Sequence, residues 1–163
     1  MAVAEVESLG EAFRDAMASV CTPVAVITAM DGERPHGTTV SAFASLSMSP
    51  PSLLVSLDRG SDLLALIQAT GEFGVNVLGH DQSDLASCFA RKGRDKFADV
   101  DWVLAEGVPR LAGAPGWFAC EVMQAVEAAD HIVVIGRVRA VDSTAAAPLT
   151  YHARTFGTHH ITS

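Results

Sequence analysis

From Thr38 to Ser49 the chain reads Thr-Thr-Val-Ser-Ala-Phe-Ala-Ser-Leu-Ser-Met-Ser, and its polarity alternates with a period of two. Thr39, Ser41, Phe43, Ser45, Ser47 and Ser49 form one set; Val40, Ala42, Ala44, Leu46 and Met48 form the other. An extended backbone points successive side chains to opposite faces. One face is therefore expected to bury aliphatics, and the other to carry a row of hydroxyls around a single phenylalanine. Solvent-facing strands usually carry Lys, Glu, Arg and Thr. Small neutral hydroxyls instead leave the backbone approachable and offer both donors and acceptors. That chemistry suits a flat, polar-edged, anionic ligand, so this stretch is the first candidate for a site.

The flanking patterns are mostly strand-like. Ser8-Leu-Gly-Glu11 reads as a capping box opening a helix, with Leu9, Phe13, Met17 and Val20 as an apolar stripe ending near Cys21. The spacing predicts a strand over 23–30 (PVAVITAM), a hairpin turn at Asp31-Gly32, then strand, bend and strand over 36–48. Pro50-Pro51 breaks this run, and a strand follows over 53–57. Ser61 is placed to cap a short helix carrying Leu63, Leu64 and Ile67, closed by Gly71. A strand over 73–78 and a helix over 81–91, with Leu85, Cys88 and Phe89 inward, come next. A charged segment, 91–96, leads through Trp102 into a loop reaching Gly116. Two long strands, 118–128 and 131–141, turn at Ala129-Asp130, and the tail from Pro148 is polar and aromatic. Short strands with hairpin signals and few peripheral helices favour an antiparallel barrel over a doubly wound parallel sheet.

Length and composition narrow the function classes. At 163 residues, 1–163 is expected to form one domain, and 49% hydrophobic content allows a large core and a subunit interface. No apolar run approaches the ~20 residues of a membrane span. The start, MAVAEVESLGEAFRD, shows no basic leader followed by an apolar stretch, so a cytoplasmic location is expected. A net charge of -8 argues against nucleic-acid or anionic-membrane binding, while leaving room for one phosphate held by one Arg. Cys21, Cys88 and Cys120 provide neither a disulfide framework nor a CxxC pair, and are read as buried free thiols. The six histidines show no metal-ligand spacing, so no metal is expected. GxGxxG, Walker A and GxSxG signatures are absent from the sequence.

Several residues stand out for chemistry. Asp58-Arg59-Gly60-Ser61 lies where a strand ends and a helix begins. The unpaired N–H groups of a helix N-terminus, a forked Arg donor and a Ser hydroxyl make a phosphate clamp; the plain alternative is a surface Arg beside an ordinary Ser cap. Gly37 either lets a ring approach the backbone or marks a strand bulge. Asn76 interrupts an apolar strand, and its amide needs either ligand atoms or neighbouring backbone as partners. His131 follows Asp130 at a tight turn, where a histidine is more often structural or exposed.

On these residues the chain resembles the flavin reductase-like family, the short-chain NAD(P)H:flavin oxidoreductase components of two-component flavin-dependent monooxygenases. The matching segments are Thr22-Pro-Val-Ala-Val-Ile-Thr28, His36-Gly-Thr-Thr-Val-Ser-Ala-Phe43, Ser45-Leu-Ser47, Pro50-Pro51 and Ser56-Leu-Asp-Arg-Gly-Ser61. They continue with Phe73-Gly-Val-Asn-Val-Leu78, Asp95-Lys-Phe97, Asp130-His131, and Pro148-Leu-Thr-Tyr151 with Arg154, covering about 13–157. The resemblance implies a mainly β fold, a homodimer of six-stranded antiparallel split β-barrels (the FMN-binding split barrel) with a few peripheral helices. Flavin, FMN or FAD, is implied in a groove near the subunit interface. The implied flavin-binding residues are Gly37, Thr38, Thr39, Val40, Ser41, Ala42, Phe43, Ser45 and Leu46 around the ring and ribityl chain. Arg59, Gly60 and Ser61 are implied at the phosphate, and Asn76 nearby. NADH or NADPH is implied beside His131, Tyr151 and Arg154, with His131 as the catalytic residue. The partner implied is a separate, transiently engaged monooxygenase that takes the reduced flavin.

The family usually has Gly where this chain has Ala129, so a turn that needs a positive φ would differ here. Two other readings share the fold. One is a flavin-binding protein that does not turn over NAD(P)H. The other is a pyridoxamine-phosphate oxidase relative, which calls for more Arg and Lys than this chain carries.

Overall fold

Period-two patterning becomes antiparallel sheet throughout the computed structural model, which describes residues 3–93 and 95–162. Arg94, within the charged segment noted above, lies outside the described residues. Helix α1 (Val3–Ala18) leads into β1 (Thr22–Pro23), β2 (Ala25–Asp31), β3 (Arg34–Val40), β4 (Phe43–Met48) and β5 (Pro51–Asp58). Helix α2 (Asp62–Thr70), β6 (Glu72–Val77) and helix α3 (Ser83–Ala90) follow. The hairpin β7 (Trp102–Ala105) and β8 (Val108–Leu111) precedes the long pair β9 (Gly116–Ala128) and β10 (His131–Ser143). Strands β11 (Leu149–His152) and β12 (Thr155–Thr158) close the chain. No helix among the described residues is long and apolar enough to cross a membrane.

The main sheet has seven strands in the order β3-β2-β6-β9-β10-β5-β4, all antiparallel. This corrects the six expected. The chain turns a corner at Ser41-Ala42, which divides the hydroxyl stretch into two separate strands, and these lie at the two ends of the sheet order. Strand β2 is apolar along nearly its whole length because both of its faces are covered. Ala25, Ile27 and Ala29 join Val55, Phe73, Val134 and the α2 residues Leu63, Leu64 and Ile67 in one core. Val24 and Val26 join Phe89 of α3, Phe97, Leu111 and Leu149 in a second.

Local signals place α2 as expected. The Ser61 hydroxyl accepts from the Leu64 amide at 3.4 Å, and Gly71 ends the helix in the left-handed region at φ 76°. The turn between β9 and β10 also falls where expected. Ala129 occupies it at φ 55°, so an alanine adopts the left-handed conformation here. A non-glycine residue pays roughly 1–2 kcal/mol for that conformation.

Three expectations are corrected. Helix α1 begins well before Ser8, so Ser8 and Glu11 lie inside it, and Leu9, Phe13 and Met17, with Val20 just beyond its end, are exposed. The hydroxyl stretch does not hold one alternation. Ser45 pairs with Leu53 and Ser47 with Ser52, so Leu46 is the extra residue of a bulge. Phe43 turns onto the core, whereas Ala44, Leu46 and Met48 of the supposedly buried set are exposed on an edge strand. Among the cysteines only Cys120 is buried, and burial pushes its thiol up to about 12; Cys88 is half-buried and Cys21 is exposed just beyond α1.

Gly37 shows why β3 and α3 fit together. A Cβ there would lie 2.9 Å from two ring carbons of Phe89 and 3.3 Å from the Ile27 carbonyl. Phe89 is fully buried and packs edge-on against Phe97, with ring centroids 4.9 Å apart, so it has little room to retreat. Gly37→Ala is expected to destabilise the protein by ~1–3 kcal/mol in urea unfolding, the usual scale of overpacking. A change below about 0.5 kcal/mol, the level of a neutral surface substitution, would contradict this packing account.

Candidate active site

An edge strand carries a row of backbone N–H and C=O groups without a partner strand. Strands β3 and β4 are the two edges of the main sheet, and the Ser41-Ala42 corner joins them directly. Two unpaired rims therefore start from one point. The Ala42 carbonyl accepts from the Ser56 amide at 2.9 Å, which pins the corner to β5. Ser41, Ala42, Ser45 and Leu46 are exposed along it, and Thr38, Val40 and Phe43 are half-buried. Thr39 is committed elsewhere: its hydroxyl donates to the Ala86 carbonyl of α3 at 2.6 Å. The ring that Gly37 admits is the protein's own Phe89, and Gly37 is buried beneath it rather than open to a ligand.

Past the far end of β5, the loop Asp58 to Ser61 meets the tip of the β9–β10 hairpin. The Arg59 amide donates to the Asp130 carbonyl at 2.9 Å, and Arg59 Nη2 donates to the Ala129 carbonyl at 3.1 Å. Glu127 Oε2 lies 3.6 Å from the same Nη2. The Gly60 amide donates to Asp58 Oδ1 at 2.7 Å, and Ser61 caps α2. His131 stands opposite Asp58 in the strand register. Its Nδ1 lies 2.8 Å from Asp130 Oδ1, and its Nε2 has no hydrogen-bond partner among the described residues. That hydrogen bond to His131, more than its charge, holds the Asp130 carboxyl below the usual carboxylate range. The structure thus brings Arg59, Gly60, Ser61 and His131 into one neighbourhood.

Other candidates fall outside it. Asn76 is fully buried, and every polar atom of its amide is taken by protein. Its nitrogen donates to Val26 O, Thr28 Oγ1 and Pro109 O at 3.3 Å, and its oxygen accepts from the Leu111 amide at 2.8 Å. Of the two partners open to Asn76, backbone and side chains win, so it locks the β7–β8 hairpin onto β2 and β6. Tyr151 stacks edge-on with Phe156, and Arg154 pairs with Asp15 of α1 at 2.6 Å. Neither has a hydrogen bond or ion pair to His131 among the described residues.

Lys96 is a residue that the sequence reading left without a role. Its Nζ donates to the Gly37 carbonyl of β3 at 3.0 Å and to the Phe89 carbonyl at the end of α3 at 2.9 Å. Burial lowers its pKa. A cation at a helix C-terminus complements the dipole, and here it also braces the β3 rim. The Asp95-Lys-Phe97 match was the one available signal.

The chain matches the model of the flavin reductase like domain over residues 17–160. It is 39% identical over 142 residues to a probable flavin reductase of Rhizobium meliloti, covering 86% of this chain and 46% of that protein. It is 36% identical over 145 residues to the NADH-dependent flavin reductase StyB of Pseudomonas fluorescens, covering 86% of this chain and 85% of that one. This chain thus spans under half of the first relative's length and most of the second's. Among solved structures, the styrene monooxygenase flavin reductase of Pseudomonas putida S12 superposes with a TM-score of 0.86 at 35% identity, over 93% of this chain and 99% of that one. Flavin reductase PheA2 gives 0.86 at 31% identity, over 93% and 98%. Sequence and architecture agree, and the chain belongs to the flavin reductase-like family.

Proposed function

We propose that this protein is an NAD(P)H-dependent flavin reductase that supplies reduced FMN or FAD to a separate flavin-dependent monooxygenase. One observation carries the reading: a corner of two unpaired sheet edges and an Arg-bearing helix N-terminus are spaced along one strand. Ser56 holds the corner and Arg59 follows β5 three residues later, so the two lie about 10 Å apart along the strand. An isoalloxazine ring on the rims would then extend its ribityl phosphate toward Arg59, Gly60 and Ser61. Relatives support the same class. One is named a reductase component of a 4-nitrophenol monooxygenase, and one solved neighbour is an NADH:FAD oxidoreductase.

Bound flavin would supply the hydride chemistry, accepting hydride from the reduced nicotinamide. The chain supplies orientation and charge. The rim amides that point away from β2 and β5, alternate ones along 38–43 and 45–46, would face the pyrimidine edge, where negative charge grows on reduction. Ser41 and Ser45 are exposed, and their hydroxyls would meet the ribityl chain. Asp130 holds His131 Nδ1, so its Nε2 edge would be the one to meet the nicotinamide. Tyr151 and Arg154 complete that set only if Arg154 leaves Asp15, an exposed pair that costs little to break.

A homodimer is part of the proposal. Leu46, Met48, Met123 and Val126 are exposed apolar side chains on β4 and β9, and α1 adds Leu9 and Phe13. Apolar area of this kind marks an interface. Sedimentation at micromolar concentration is expected to show a dimer, and a stable flavin-competent monomer would contradict it.

The site itself is tested by flavin titration and anaerobic stopped-flow reduction. Arg59→Ala is expected to weaken FMN binding by ~1.5–3 kcal/mol, the scale of a lost bond between charged groups, and to leave riboflavin nearly unchanged. His131→Ala should lower kcat/KM for the nicotinamide ~10-fold, about 1.4 kcal/mol, without changing flavin affinity. Equal losses for FMN and riboflavin would remove Arg59 from the phosphate site. Flavin binding without NAD(P)H oxidation by the wild type would contradict the reductase reading.

A further inference from the structure

The candidate phosphate cradle already holds acceptors of its own. Arg59 Nη2 is 3.6 Å from Glu127 Oε2 and donates to the Ala129 carbonyl, while the Gly60 amide donates to Asp58 Oδ1. A phosphate seeking the guanidinium and the loop amide would meet a carboxylate at each. We propose that Glu127 is an internal competitor for Arg59, which keeps the grip on the flavin phosphate loose enough for flavin to leave. This rests on the reading of Arg59 as the phosphate ligand.

The geometry of the pair fits an exchangeable contact. Arg137–Glu121 and Arg110–Asp142 close to 2.5 Å, whereas Arg59–Glu127 stays at 3.6 Å. The Glu127 side chain is 78% exposed and that of Arg59 is 50% exposed, so either can turn to water at little cost. Glu127 faces Ile132 across the β9–β10 ladder, near the end of the hairpin. It therefore comes with the same turn whose Ala129 carbonyl steadies the guanidinium. When phosphate binds, Ala129 can keep Arg59 in place while Glu127 swings away. When flavin departs, Glu127 returns and screens the charge. A reductase that hands its flavin to another enzyme needs release as much as binding, and a carboxylate beside the phosphate ligand favours release.

The test is Glu127→Gln, which keeps the side chain's size and removes its charge, measured with FMN, with riboflavin, and in an Arg59→Ala background. An exposed ion pair is worth about 2- to 5-fold in an equilibrium constant. FMN is therefore expected to bind about 2- to 5-fold more tightly and to dissociate correspondingly more slowly, with riboflavin unchanged and the gain abolished by Arg59→Ala. Unchanged or weaker FMN binding overturns the proposal. So does an equal gain for riboflavin, or a full gain that persists without Arg59. Failure of the underlying reading looks different, because Arg59→Ala alone would then cost FMN and riboflavin equally.

Discussion

An antiparallel sheet that does not pair its last strand with its first leaves two rows of backbone hydrogen-bonding groups without partner strands. Proteins commonly blunt such edges with charge, proline or a covering element. Here the two edges are consecutive in the chain, β3 and β4, and the Ser41-Ala42 corner brings both rims to one place. Small, exposed side chains at that corner leave the backbone approachable. The rest of the molecule acts to hold this opening in shape. Phe89 packs onto Gly37, Thr39 bonds to Ala86, and Lys96 ties the Gly37 carbonyl to the end of α3. The Ser56 amide fixes the other side through Ala42.

The β9–β10 hairpin supplies the second constraint. Its tip gives carbonyls to both the backbone and the side chain of Arg59, then places Asp130 and His131 directly after the turn. In the proposed function, phosphate recognition and nicotinamide orientation would share one short piece of chain. Ala129 holds the left-handed conformation there despite its side chain, so the turn geometry is maintained against a local cost. The same tip brings Glu127 close to Arg59, which makes charge competition a property of the hairpin rather than of a distant surface group.

Much of this was legible in the residues because the signals were local. Ser61 and Gly71 bracket α2, and the Ala129-Asp130 turn, the long strands on either side of it and the strand-bend-strand division of 36–48 follow from pattern alone. What was hidden depended on partners distant in sequence. Gly37 and Asn76 both looked like ligand contacts, yet Phe89 and the β7–β8 hairpin occupy them. Nothing near either residue announces those partners. The β11–β12 hairpin escaped because Ala153 and Arg154, rather than Gly or Asn, take the left-handed positions, at φ 50° and 61°. The exposed faces of β4 and α1 escaped for the opposite reason. Apolar periodicity signals burial without saying whether the same chain provides the cover.

Backbone amide hydrogen exchange with and without FMN tests the central claim most directly, because it reads the groups said to hold the ring. The account predicts slowed exchange on FMN binding at the outward-pointing amides of 38–43 and 45–46 and at Gly60, with β7, β8, β11 and β12 unchanged. Protection confined to β7 and β8 or to the tail, with both rims exchanging as in the free protein, would contradict it.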